Sequence, residues 1–235
     1  MVGHRVRRAA QAAAIAFSFS LLFAVVALAQ ERAGDAGRFD FYVLALSWSP
    51  SYCARTQERV QAQRRVTARK PETQCAGRPF AFVVHGLWPQ FERAFPSYCQ
   101  APARRLDAAL VSGMLELMPS PRLILHEWNR HGTCSGHTVQ GYFDTVRKAR
   151  AAIAIPEVYR APAAPLRVTP AEVTAAFIKA NPGLTAGAMA VACDKKRLTE
   201  VRLCLGKDLS FRACAQIARR NCRRDKLVMP AVRGE

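Results

Sequence analysis

"FDFYVLALSW", Phe39 to Trp48, sets the fold class. Its density of aromatic and aliphatic side chains reads as a β-strand, closed by Pro50. A second apolar strand, Phe80 to Val84, lies within "PFAFVVHGLWPQ". His85 stands at its C-terminal edge, and Gly86 and Pro89 mark the exit. Between the two strands, residues 54 to 79 are polar and arginine-rich, with Pro71 and Gly77, and read as a long surface loop.

Further along, apolar spacing predicts a helix over Leu106–Met118 that stops at Pro119, and another over "GYFDTVRKARAAI". Residues 156 to 170 hold four prolines and read as a loop. "TPAEVTAAFIKANPG" is a helix with its caps written out: Thr169 as N-cap, Pro170 in the first turn, Glu172 three after Thr169, and Asn181-Pro182-Gly183 as the stop. "GAMAVACDKKRLTEVRLCLG" predicts two short strands around a basic turn. Strands and helices interleave irregularly, which argues for α+β: one domain with a central, mainly antiparallel sheet and several flanking helices.

The first 29 residues stand apart. Arg5, Arg7 and Arg8 precede an apolar run that ends in Ala27-Leu28-Ala29, the three parts of a cleavable secretory signal. Residues 1–29 are therefore expected to be removed and 30–235 to be the working domain, exported to the periplasm or beyond. It should be monomeric and without stable membrane association. The chain has 35 basic and 17 acidic residues. Removing the three signal arginines leaves 32 against 17, a charge of +15 that favours a polyanionic partner. All eight cysteines follow the signal, and no CxxC pair is present, so disulfides are expected rather than a zinc cluster. Their spacing leaves the pairing open.

The reactive side chains concentrate in "VVHGLWPQ", with His85, and "HEWNRHGTC", with His126 and His131. The second stretch looks like the zinc-protease motif H-E-x-x-H with one residue too many. On a helix, five residues turn the second imidazole ~140° from the first, so no shared metal face results. The pair four apart is Glu127 with His131, a carboxylate and an imidazole on one face. Together with His85 they suit proton transfer around a phosphodiester without a metal or cofactor.

These two segments closely resemble the active-site segments of the ribonuclease T2 family, secreted endoribonucleases that need no metal. "FDFYVLALSWSPSYC", "FPSYC" and "LTEVRLCL" extend the likeness over most of residues 39 to 222. The resemblance implies cleavage of single-stranded RNA to 2′,3′-cyclic phosphate and then 3′-phosphate ends, with broad base specificity. His85 would be the general acid and His131 the base, roles that could be exchanged without changing the overall reaction. Glu127 would stabilise the phosphorane, His126 would contact the phosphate, and Trp88 and Gln90 would face the base. It further implies the disulfides Cys53–Cys75, Cys99–Cys134, Cys193–Cys222 and Cys204–Cys214. The chain departs from the family habit at Arg130, where lysine is usual, and at Gln90, where some members carry an acid. The alternative is a basic RNA- or polyanion-binding protein on the same scaffold without catalysis.

Overall fold

A computed structural model describes residues 34–62 and 73–232, which belong to one compact unit. The signal-peptide expectation for residues 1–29 lies outside the described residues. Among those described, no helix is long and apolar enough to cross a membrane.

The protein is α+β. Four antiparallel strands form its main sheet in the order β2-β1-β5-β4: β1 Phe41–Trp48, β2 Phe82–Gln90, β4 Met189–Cys193 and β5 Leu198–Leu205. The central strand β1 is almost wholly buried along its length, which is why it reads as a continuous apolar run rather than an alternation. One face, with Tyr42, Leu44, Leu46 and Trp48, enters the main core with helices α3 Pro121–Arg130, α4 Val139–Ala151 and α5 Pro170–Ala180. Phe41 and Val43 on the other face pack with Ile217 of the short helix α6 Ala215–Ala218 and the Cys204–Cys214 bridge.

Helix boundaries follow side-chain caps that satisfy otherwise orphaned N–H groups. Thr169 and Glu172 make the full reciprocal capping box of α5. Ser120 caps α3 ahead of Pro121, and Thr138 caps α4, which starts two residues before the stretch read from sequence. Helix α2, Ala108–Met114, is shorter than the expected Leu106–Met118 because Asp107 accepts from Leu110 N and fixes the start.

Three expectations need correction. Residues 49–62 form helix α1 (Ser49–Ala62), so the loop expected from residue 54 begins no earlier than residue 63. Pro50 lies in the first turn of this helix, where a proline forfeits no helical hydrogen bond. Its polar Arg, Gln and Glu side chains belong to an exposed helix face. Secondly, the proline-rich segment 156–170 contains a strand, β3 Leu166–Val168, paired with β6 Leu227–Met229. Thirdly, β2 does not end at Val84 but continues through His85, Gly86 and Pro89 to Gln90. Pro89 is tolerated because β2 lies at the sheet edge.

All four expected disulfides form: Cys53–Cys75, Cys99–Cys134, Cys193–Cys222 and Cys204–Cys214.

Candidate active site

The extension of β2 carries a bulge that creates the site. Ala45 pairs with Gly86 and Leu46 with Val84, so His85 is the extra residue opposite no partner. Strict alternation back from Leu87, which is in the main core, would also send His85 into that core. The bulge instead lets Val84 and Leu87 both enter the core and re-aims His85 to the opposite side. There its Nδ1 meets Glu200 Oε1 of β5 at 2.5 Å.

Helix α3 packs beside β2 and supplies the second half. Ile124 and Trp128, four apart, enter the core, while Glu127 and His131, also four apart, turn to the site. The backbone N–H of His131 still bonds to Glu127 O at 3.0 Å, so the helical register holds to the imidazole. The chain then tightens into a short turn, Gly132–Cys134. Trp128 and Tyr142 close against Gly132 so tightly that a Cβ there would come 2.5 Å from Trp128 Cε3.

One pocket of about 270 Å³ gathers every site residue expected from sequence: His85, Trp88, Gln90, His126, Glu127, Arg130 and His131. Phe95, Arg202, Ile217 and Arg220, not expected, line it too. Trp88 sits between the imidazoles, its ring 5.3 Å from His85 and 5.5 Å from His131. Its indole N–H donates to Glu127 Oε2 at 2.8 Å, so it orients the carboxyl as well as lining the pocket. Gln90 is buried, donating to Pro89 O at 3.0 Å. His126 is exposed. The Arg130 guanidinium lies 6.0 Å from the Phe95 ring and 5.8 Å from Tyr98, a cationic cover over one rim.

The two expected catalytic imidazoles have opposed surroundings. His85, 36% exposed, lies between two carboxyl groups, with Glu200 on Nδ1 and Glu127 Oε1 3.7 Å from Nε2. Burial alone would lower its pKa, but the hydrogen bond and charge of Glu200, then the charge of Glu127, raise it above the usual histidine value. His131 is buried, and its Nδ1 has no hydrogen-bond partner among the described residues. Burial, then the charges of Arg130, His126 and His85, push it down to about 3. His126, exposed at the rim but partly covered by the pocket wall, is lowered by that partial desolvation and by the charges of Arg130 and His85. Glu127, 1% exposed, is pushed up to about 7 by burial, against the pull of His85 and the Trp88 hydrogen bond. Glu200 goes the other way. Burial would raise it, but the bond and charge of His85 and the Arg202 guanidinium hold it at about 2.

Glu200 and Arg202 are the functional candidates that sequence reasoning missed. The signal available was two charges at alternate positions of a strand flanked by buried apolar residues, "LTEVRLCL". Such a strand puts both charges on one face, where burial requires partners.

The model of the ribonuclease T2 family matches residues 39–214. A ribonuclease of Aeromonas hydrophila is 43% identical over 46% of this chain and 43% of its own length. A probable ribonuclease of Haemophilus influenzae is 34% identical over 50% of this chain and 44% of its own. The chain thus spans less than half the length of these curated relatives. An RNase-related protein from Calystegia sepium superimposes with a TM-score of 0.63 at 20% identity, over 83% of this chain and 98% of that one, a likeness of fold.

Proposed function

The chain belongs to the ribonuclease T2 family, and from that premise we propose that it is a metal-independent endoribonuclease acting on single-stranded RNA. The observation that carries the reading is the pair of opposed histidines in one pocket. An imidazole held between carboxyl groups keeps its proton, whereas one buried with an unpartnered nitrogen resists taking a second. Divergent environments of this kind separate an acid from a base.

In this reaction His131 takes the proton of the RNA 2′-hydroxyl as the 2′-oxygen bonds to phosphorus. The bond from phosphorus to the 5′-oxygen then breaks, and His85 Nε2 gives its proton to that departing oxygen. The product is a 2′,3′-cyclic phosphate, later opened by water to a 3′-phosphate. His126 and Arg130 contact the phosphate from the pocket rim. Glu127, protonated over much of the acidic range, donates a hydrogen bond to a phosphorane oxygen instead of repelling it.

Trp88 and Gln90 line the side of the pocket assigned to the base. Arg130, Arg202 and Arg220 give it the charge that a polyanion needs. Stacking on aromatic faces is tolerant of sequence, in keeping with broad base specificity. The protein acts as a monomer after export to the periplasm or the medium, with residues 1–29 removed as a signal. Four disulfides support an oxidising compartment.

The test is to incubate the protein with RNA and its 2′-deoxy equivalent in excess chelator. Cleavage of RNA alone, leaving cyclic-phosphate ends, is expected. No cleavage at any pH would favour a binding protein, and activity restored only by added zinc would favour a metallohydrolase.

A further inference from the structure

Beyond the residues of the two histidine motifs, Glu200 occupies a place that nothing in those motifs supplies. Its Oε1 meets His85 Nδ1 at 2.5 Å and accepts from Ser47 Oγ at 3.2 Å. Its Oε2 accepts from Arg202 Nη2 at 2.8 Å and Nε at 3.0 Å. The carboxylate is therefore held from three directions, and its side chain is only 11% exposed. Cross-strand register sets this up, since Ser47 pairs with Glu200 and Ala45 with Arg202 across β1 and β5. The bulge in β2 then brings His85 onto the same group.

We propose that Glu200 is a positioning residue for the reaction, fixing the orientation and tautomer of His85 so that Nε2 presents a proton to the departing 5′-oxygen. The inference rests on the reading of His85 as general acid. A carboxylate on Nδ1 settles which nitrogen is free to act, as it does wherever the second imidazole nitrogen is tied down. When His85 Nε2 releases its proton, the neutral ring keeps its Nδ1–H bonded to Glu200. The carboxylate stays ionised throughout because Arg202 bridges it. Arg202 lies 5.4 Å from the Trp88 ring, so it is itself braced by the wall of the pocket.

The charged and titratable groups around His85 are Glu127, His126, His131 and Arg130 from the α3 side and Glu200 and Arg202 from β5. Tyr52 and Arg55 of α1 line a second, smaller cavity beyond it. Of these, Glu200 hydrogen-bonds the imidazole.

The experiment compares Glu200→Gln with the unaltered protein on two substrates. One is an RNA dinucleotide, whose 5′-oxygen needs a proton to leave. The other is a nucleoside 3′-(4-nitrophenyl phosphate), whose leaving group does not. On the dinucleotide, Glu200→Gln should lower kcat about 10- to 100-fold. The alkaline limb of kcat/KM should also move to lower pH by about one unit, because the imidazolium loses its anionic partner. On the nitrophenyl ester the loss should shrink to a few-fold. Glu200→Asp should recover part of the dinucleotide activity, and it carries the same comparison should Glu200→Gln not fold. Equal losses on both substrates, or an unmoved alkaline limb, would overturn the proposal and leave Glu200 merely structural. His85→Phe separates the two levels. If it keeps near-normal turnover on RNA, the general-acid reading itself is wrong. If it is inactive while Glu200→Gln matches the unaltered protein, only the role of Glu200 is wrong.

Discussion

The Glu127 carboxyl group rests on the bare Cα of Gly86. A Cβ built on Gly86 would overlap Glu127 Oε2 and Trp88 Nε1 and stand 2.7 Å from Glu127 Cδ. Gly86 is not in the left-handed backbone region, so the missing side chain, and not a special φ, is what the site uses. We expect Gly86→Ala to displace Glu127, break its bond to Trp88, and lower kcat on RNA by ~100-fold, the scale of losing one positioned transition-state group. Circular dichroism should remain unchanged. A variant with full turnover would show that Glu127 works equally well from elsewhere.

The opposed shifts at the site predict an acidic optimum. With His131 as the proposed base, which acts only when neutral, kcat/KM should rise as pH passes upward through the region of its pKa, about 3. With His85 as the proposed acid, turnover also needs its proton, which a raised pKa retains, and it should suffer when Glu127 ionises near pH 7 beside an anionic phosphate. Activity should therefore decline above about pH 7. A pH–rate profile on a dinucleotide checks this, and an optimum at pH 8 or higher would contradict the assigned environments.

What the sequence made legible were contacts local in the chain: caps, helical spacing, and the i,i+4 pairing of Glu127 with His131. The α+β class and all four strands of the main sheet were readable, β1 and β2 as apolar runs and β4 and β5 as two short strands around a basic turn. The disulfide pairing came from family resemblance, not from spacing. What stayed hidden depends on register between distant strands. His85 reads as the end of a strand because a bulge has no signature until β1 is laid against β2. Glu200 looks like a solvated charge until β5 pairs with β1 and brings it to Ser47 and His85. Helix α1 was missed for a different reason, since an exposed polar helix and a polar loop share a composition.

Glu127 should also set a trade between activity and stability. Its folded pKa, about 7, lies above the ordinary 4.5, so the native state binds the proton more tightly than the unfolded chain. That contribution is fully present below pH 4.5 and is lost as pH rises through 7, leaving a buried carboxylate at pH 8. Glu127→Gln keeps an oxygen for the Trp88 N–H and has no charge to bury. It should be nearly inactive yet more stable than the unaltered protein at pH 8, by on the order of 2–3 kcal/mol. The gain should vanish near pH 4. Urea unfolding at the two pH values measures it, and equal stability at both would show that the burial of Glu127 costs nothing.

The Cys99–Cys134 bridge joins the loop after β2 to the turn that follows His131. That loop carries Phe95 over the pocket and holds Ala94 and Tyr98 at positive φ, conformations that alanine and tyrosine rarely adopt unaided. Besides the bridge, Tyr98 N–H donates to Arg130 O at 2.9 Å. Replacing both cysteines by alanine should cost about 4 kcal/mol through loop closure alone. KM for RNA should rise as well, because the Phe95 rim loosens. Thermal unfolding and initial rates separate the two effects. Full stability loss with unchanged KM and kcat would confine the bridge to a structural role.

Arg130 offers the sharpest separation of charge from shape. Its positive charge helps to hold both His126 and His131 below the usual histidine range, and its plane lies near Phe95 and Tyr98. Lysine supplies the charge but neither the planar fork nor the same stacking. Arg130→Lys should therefore leave the acidic limb of the pH profile in place while raising KM several-fold. Arg130→Ala removes the charge too. The His131 imidazolium is then less disfavoured, its pKa rises, and the acidic limb moves to higher pH. The sign follows from the base needing to be neutral: a higher His131 pKa leaves less of the active form at low pH. Paired pH–rate profiles of the two variants provide the measurement. If Arg130→Ala left the acidic limb unmoved, the charge of Arg130 would have no hold on the base, and its place in the site would be phosphate contact alone.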